Sequence, residues 1–170
     1  MSALPRTLRK FNTFHDGVSF IGECLDLKLP KIAMKVEEYR GAGMIGPVKL
    51  HKGLEALEME STYNGPIKEI VASFGDERHD AALIRWMGSY SREDTGESQA
   101  VEITCRGRHN ELDLGDAKAG DNGSFKVKHD LTYFKLTVDG TVWMEFDVVH
   151  DIFIVMGVDR NAQHRANVGL

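Results

Sequence analysis

The chain has 170 residues, 42% hydrophobic and 28% charged, with 26 acidic against 21 basic side chains and a formal net charge of −5. This is one domain's worth of ordinary globular sequence, and its acidic balance argues against a fold that grips nucleic acid through its phosphates. The longest apolar run, residues 152–158, falls far short of the ~20 residues of a membrane span; the N-terminus has no apolar leader core; and Cys24 and Cys105 are too few and too distant for a disulfide framework or a zinc set.

The 17 glycines and 4 prolines are scattered, the composition of a turn-rich, mainly β chain. The first element is a hairpin: residues 11–15 and 18–20 flank Asp16-Gly17, whose residue types suit a type I′ turn. Leu25, Leu27 and Leu29 alternate with Asp26 and Lys28, the period of a strand with one wet face. After Pro30, Ile32, Met34 and Val36 continue that period. Residues 39–53 then carry several glycines and Pro47, which rules out a helix and predicts a long loop. Leu57, Met59, Ser61 and Tyr63 alternate with Glu58, Glu60 and Thr62, a strand with an acidic face that Glu37 continues, although residues 54–60 also fit a helix.

One helix is predicted over residues 66–74. Pro66 opens it, Ile67, Ile70, Val71 and Phe74 form one apolar stripe, and Gly75 closes it. Strands follow at residues 82–87 and 101–106, with solvated loops at 91–98 and 113–123. In the long strand 125–138 the apolar phase flips at Tyr133–Phe134, which predicts a bulge, and Asp139-Gly140 turns the chain into strand 141–149. Residues 152–158 are apolar in both phases. A sandwich covers only one face of a strand, so a second subunit is expected to cover the other, with Trp143, Phe153 and Val155 at that interface.

Gly41-Ala42-Gly43-Met44-Ile45-Gly46 matches G-x-G-x-x-G, with Glu60 about where a ribose ligand would stand. A dinucleotide site needs a helix to open at such a loop; Pro47 and no helical period follow, so no cofactor is expected, and Met44 and Ile45 are read as a contact presented to a partner. The seven histidines, at 15, 51, 79, 109, 129, 150 and 164, lack metal-ligand spacing and read as surface or strand residues. Asp113, Asp116 and Asp121 lack the order of a calcium loop, and no G-x-S-x-G elbow is present. No metal site and no enzyme activity are expected.

Four stretches carry a family resemblance. They are Asn12-Thr13-Phe14-His15-Asp16-Gly17-Val18-Ser19-Phe20-Ile21-Gly22-Glu23, then Leu29-Pro30-Lys31-Ile32, then Glu37-Glu38-Tyr39-Arg40-Gly41-Ala42-Gly43-Met44-Ile45-Gly46-Pro47-Val48 with Gly53-Leu54-Glu55-Ala56-Leu57-Glu58, and the ending from Gly157-Val158-Asp159-Arg160-Asn161-Ala162 through Arg165-Ala166-Asn167-Val168-Gly169-Leu170. In order and over the whole chain, 1–170, these resemble the major tail tube proteins of contractile-tailed bacteriophages, which are related to the tube proteins of R-type bacteriocins. The resemblance implies a mainly β, antiparallel sandwich or barrel-like domain with one short flanking helix. It implies hexameric rings stacked into a tube inside a sheath. Sheath contraction drives that tube through the host envelope, and DNA passes down its lumen without specific binding. Tyr39, Arg40, Met44, Ile45 and Pro47 would then form a contact loop between subunits and rings, and Glu58 and Glu60 would face the lumen. The implied partners are the sheath, a tape measure protein, a baseplate initiator and a tail terminator, with assembly in the bacterial cytoplasm, residence in the virion and no stable membrane insertion. A bacteriocin or type VI secretion tube shares the fold; a monomeric β-sandwich binding module using the glycine-rich loop is the reading of a different class.

Overall fold

The computed structural model describes residues 3–170. The first hairpin forms as its turn chemistry dictates. β1 (Thr7–His15) pairs β2 (Val18–Ser19) across Asp16 and Gly17, both at positive φ. β3 (Cys24–Lys28) leaves this hairpin for another part of the sheet, while β4 (Met34–Tyr39) and β5 (Val48–Leu54) pair only with each other. The predicted loop 39–53 is therefore a hairpin with a tip of residues 40–47. Val48 and Leu50 alternate with Lys49 and His51, and that period lets the segment pair with β4 despite its glycines. β6 (Leu57–Tyr63) settles the ambiguity at residues 54–60 in favour of a strand, with Leu57, Met59, Ser61 and Tyr63 buried.

The helix α1 (Lys68–Ala72) is shorter than the predicted 66–74. Ile67 and Ile70 are buried, but Val71 and Phe74 are about half exposed. A single turn and a half can aim only part of an i, i+3, i+4, i+7 stripe at one surface, so the stripe is split between core and water. Gly75 closes the segment at positive φ, as expected.

β7 (Ala82–Ser91), β8 (Ser98–Asp113), β9 (Phe125–Val138) and β10 (Thr141–Asp147) form a continuous antiparallel meander, extended by β11 (Ile152–Val155) and β12 (Val158–Asp159). The strand order is β12-β11-β10-β9-β8-β7-β1-β2, with β6 and β3 attached as a branch. The branch point is β9. One edge pairs β8 throughout; the other pairs β6 over residues 125–131 and β10 over residues 133–138. Thr132 lies between them as the extra residue of a bulge, one position from the predicted phase flip. Its carbonyl, free of the ladder, accepts the amide of Val148 at 3.0 Å.

Inward faces from both branches meet in one core of Leu57, Met59, Ile84, Trp86, Ile103, Cys105, Leu131, Phe134 and Phe146, where the Phe134 and Phe146 rings stack 5.8 Å apart. A second cluster, Phe20, Tyr63, Ile67, Ile70, Phe125 and Val127, lies under α1. A further helix, α2 (Ala162–Asn167), was not predicted. It has no buried residue and no side-chain cap, so it left no apolar period to read; the Arg165–Asp159 ion pair and the bond from Arg165 Nη1 to the Asp151 carbonyl tie it down.

The Asp139-Gly140 turn is held by its own side chain: Asp139 sits at φ 47° and its Oδ1 accepts the Ala100 amide at 2.8 Å. Asp139→Ala should cost about 2 kcal/mol, combining a lost hydrogen bond with a left-handed residue that no longer has local support. A shifted urea midpoint at unchanged slope checks this.

Candidate assembly surface

Except for Leu54 at its base, which packs against the first core, the β4–β5 hairpin stands apart from both cores. Five of the six residues of β4 and six of the seven of β5 are exposed, and apolar side chains are among them on either strand: Val36, Tyr39, Val48 and Leu50. The amide of Glu55 bonds the Ala33 carbonyl at 2.9 Å and closes the hairpin's base. An isolated two-stranded ribbon is marginal in water, and exposed apolar side chains grouped in this way mark candidate interaction surfaces.

The tip has a defined shape. Gly43 supplies a positive φ, Gly41 donates to the Met44 sulfur at 3.0 Å, and Arg40 Nε donates to the Met44 carbonyl at 3.4 Å. Met44 therefore folds back onto its own loop and is only half exposed. Ile45 beside it is fully exposed, at 105% of the reference area. Of the two apolar residues expected to face a partner, Ile45 is presented and Met44 holds the loop that presents it. Pro47 is exposed at the start of β5, and Tyr39 is exposed at the end of β4, where its hydroxyl lies against Gly41.

Open backbone edges lie elsewhere. β2, β3 and β12 each pair on one side only. In the C-terminal segment that contains β12, Val148, Val149, Met156, Val158, Val168 and Leu170 are exposed. Unpaired edges flanked by apolar side chains invite strand addition from another chain.

Comparison with known proteins gives this surface its context. Residues 5–169 match the family described as phage tail tube protein FII. The chain belongs to the phage tail tube protein family. It is 44% identical to the tail tube protein of Escherichia phage P2 over 99% of each chain, and 36% identical to the major tail tube protein of Serratia phage KSP20 over 89% of this chain and 88% of that one. The fold is shared with chains in two structures of the extracellular contractile injection system PVC. One is from its sheath/tube terminator (TM-score 0.56, 11% identity, 78% of this chain and 96% of that one). The other is from its sheath–tube complex (TM-score 0.56, 12% identity, 78% and 91%). Its relatives are structural tail tube proteins, and this chain is a structural protein rather than an enzyme.

In this tail tube subunit the remaining predicted residues fall as follows. Phe153 and Val155 are half-buried against their own core, with Phe153 5.0 Å from the Phe146 ring, so less of them is free for a neighbour than the sequence suggested. Trp143 points away from that core and is 39% exposed. Ile152 and Ile154 occupy the other phase of β11, also half-buried. Glu58 is exposed and Glu60 half-buried on one face of β6, but the face is not purely acidic: Glu60 stands opposite Lys128 on one side and Lys28 on the other, and Glu58 opposite Asp130. Glu37 is on β4, in the separate hairpin, and does not extend that face. Burial pushes the Cys24 thiol up to about 11 and the Cys105 thiol up to about 12, away from the thiolate form. The sequence reading missed one polar group altogether, three histidines buried together.

Proposed function

We propose that this chain closes into hexameric rings that stack as the inner tube of a contractile tail, inside the sheath, and that DNA leaves through the lumen during sheath-driven penetration of the envelope. The observation that carries the reading is the β4–β5 hairpin. Beyond Leu54 at its base it lies off the core, exposes apolar side chains on both strands and carries a fully exposed Ile45 at its tip. A second copy laid against it would bury that surface, and neighbouring sheets joined at β2, β3 or β12 would remove the open edges. Tape measure protein, baseplate initiator and tail terminator would meet the lumen and the two ends of this tube, and assembly would take place in the host cytoplasm. Rings multiply the net charge of −5 sixfold, which suits a wall that must not hold phosphates.

Electron microscopy of concentrated protein, seeded with baseplate-bearing particles, tests the reading. Stacked six-membered rings with an open centre are expected. A species that stays monomeric in sedimentation with seeds present overturns it.

For the lumen, the double change Glu58→Lys and Glu60→Lys should leave tubes assembled and slow DNA release, with the defect shrinking as salt rises. The Lys at 60 would also meet Lys28 and Lys128, a like-charge cost of about 0.2–1 kcal/mol per pair. Loss of tubes would place these residues at a subunit contact instead.

A further inference from the structure

Between the two apolar clusters runs a line of buried polar side chains. Along β6 the inward residues are Leu57, Met59, Ser61 and Tyr63; along β9 they are Phe125, Val127, His129 and Leu131. Ser61 and His129 are the polar members of each row, and His109 of β8 stands opposite His129 in the ladder. Ser61 Oγ lies 2.9 Å from His129 Nε2, His129 Nδ1 lies 2.8 Å from His109 Nδ1, and His109 Nε2 lies 2.9 Å from His15 Nε2. His15 Nδ1 ends the line 3.3 Å from Asp16 Oδ2, an ion-pair contact rather than an aligned hydrogen bond, and has no hydrogen-bond partner among the described residues. Ser61, His129, His15 and His109 are all at most 5% exposed.

A neutral imidazole has one donor and one acceptor nitrogen. In a line of three such rings, fixing one end fixes every tautomer. The Asp16 carboxylate 3.3 Å away attracts a proton and repels a lone pair at His15 Nδ1, so the proton belongs there. Then His15 Nε2 accepts from His109 Nε2–H, His109 Nδ1 accepts from His129 Nδ1–H, and His129 Nε2 accepts from the Ser61 hydroxyl. The opposite polarity would set a lone pair of His15 against the Asp16 carboxylate.

We propose that Ser61, His129, His109 and His15 form one polarised hydrogen-bond chain, oriented by the Asp16 carboxylate at its end, that fastens β1 to β6 through the interior and comes apart when a ring takes a second proton. A charged ring would need two acceptors, and each ring's neighbour on one side is already donating to it. The surroundings offer little relief. The charges acting on His15 are Asp16 and Glu69 of α1, Phe20 lies beside it, and Ile84 of β7 stands opposite it in the ladder. Ser61 has no exposed surface, so it is not a nucleophile awaiting a substrate.

Protonation is opposed accordingly. Burial lowers His15 against the pull of Asp16 and Glu69, takes His109 down to about 4 with help from His15, and holds His129 well below its ordinary value. These folded-state values lie below the unfolded value of 6.5. Stability is therefore full above that value and falls as the pH drops from there toward the folded values, because the unfolded chain binds protons first. With more than one ring involved, the unfolding constant should rise more than about tenfold per pH unit.

Nitrogen-15 NMR of the full chain labelled at histidine, free or assembled, reads the tautomers directly at neutral pH. Protons on His15 Nδ1, His109 Nε2 and His129 Nδ1 are expected; any other set overturns the chain. Asp16→Asn gives the second reading. Asn-Gly suits the same turn, its oxygen can keep the Leu83 amide now bound at 3.0 Å by Asp16 Oδ1, and its amide group then faces His15 Nδ1 with positive hydrogens that favour a lone pair there. All three tautomers should invert, including that of His129 on the far side of the core. If His109 and His129 keep their original tautomers in the variant, the coupling is absent. A wild-type acid transition with the slope of a single proton would equally overturn the proposal.

Discussion

A Gly107→Val chain is expected to lose its native fold, or to lose about 3 kcal/mol or more if it retains one. Gly107 is buried in β8, and a Cβ there would meet the Asp130 carbonyl oxygen at 2.0 Å and Leu131 Cα at 2.9 Å. Both obstacles are backbone, so no rotamer change relieves them. The site also lies between two register shifts, at residues 106–107 and 109–111, that set His109 opposite His129 and let β9 fork. Moving β8 away from β9 to admit a side chain therefore disturbs the core, the branch and the histidine line together. Gly46→Ala is the control. It has ordinary φ and open space around it, so its unfolding midpoint should shift by no more than about 0.5 kcal/mol. Urea unfolding followed by tryptophan fluorescence separates the two, since Trp86 is in the core that would open.

Ile45→Asp should do the reverse: keep the subunit's stability and remove its assembly. The side chain touches nothing that folding buries, so its replacement should change subunit stability by about 0.5 kcal/mol at most. In a stacked tube the same residue would be covered by a neighbour. Losing the burial of an isoleucine costs about 1.5–3 kcal/mol per contact, and placing a carboxylate there adds its desolvation. In the proposed six-membered rings, six such contacts per junction would compound the loss, so tubes should be absent at concentrations where wild type polymerises. Sedimentation and microscopy with the same seeds check this, with circular dichroism confirming the fold. Met44→Asp should combine both defects, because Met44 also holds the tip through Gly41. Tubes of normal length from Ile45→Asp would show that the tip is not a contact.

The candidate surface was partly legible. Glycines and Pro47 marked the tip correctly, because a turn is specified by the residues within it. They did not reveal that Val48–Leu54 would pair back onto Met34–Tyr39, since pairing depends on a strand elsewhere in the chain. Met44 and Ile45 looked equivalent in sequence and differ entirely in exposure, because Met44 reaches back to Gly41 and Ile45 does not. The apolar run 152–158 is not one strand: β11 ends at Val155, Met156-Gly157 turns the chain at positive φ into β12, and the fork of β9 places β10 and β11 where the core takes up Phe153 and Val155.

What the sequence determined by itself was set over short distances. Asp16-Gly17 and Asp139-Gly140 turn the chain because their own φ preferences require it. Alternation assigned the strands, and the phase flip in β9 located the bulge within a residue of Thr132. What only the tertiary structure decided was which side chains meet. His15, His109 and His129 show no spacing in common and lie on three strands. They become one line because the sheet folds over and closes around them, and the burial that governs their chemistry comes from neighbours far away in the chain.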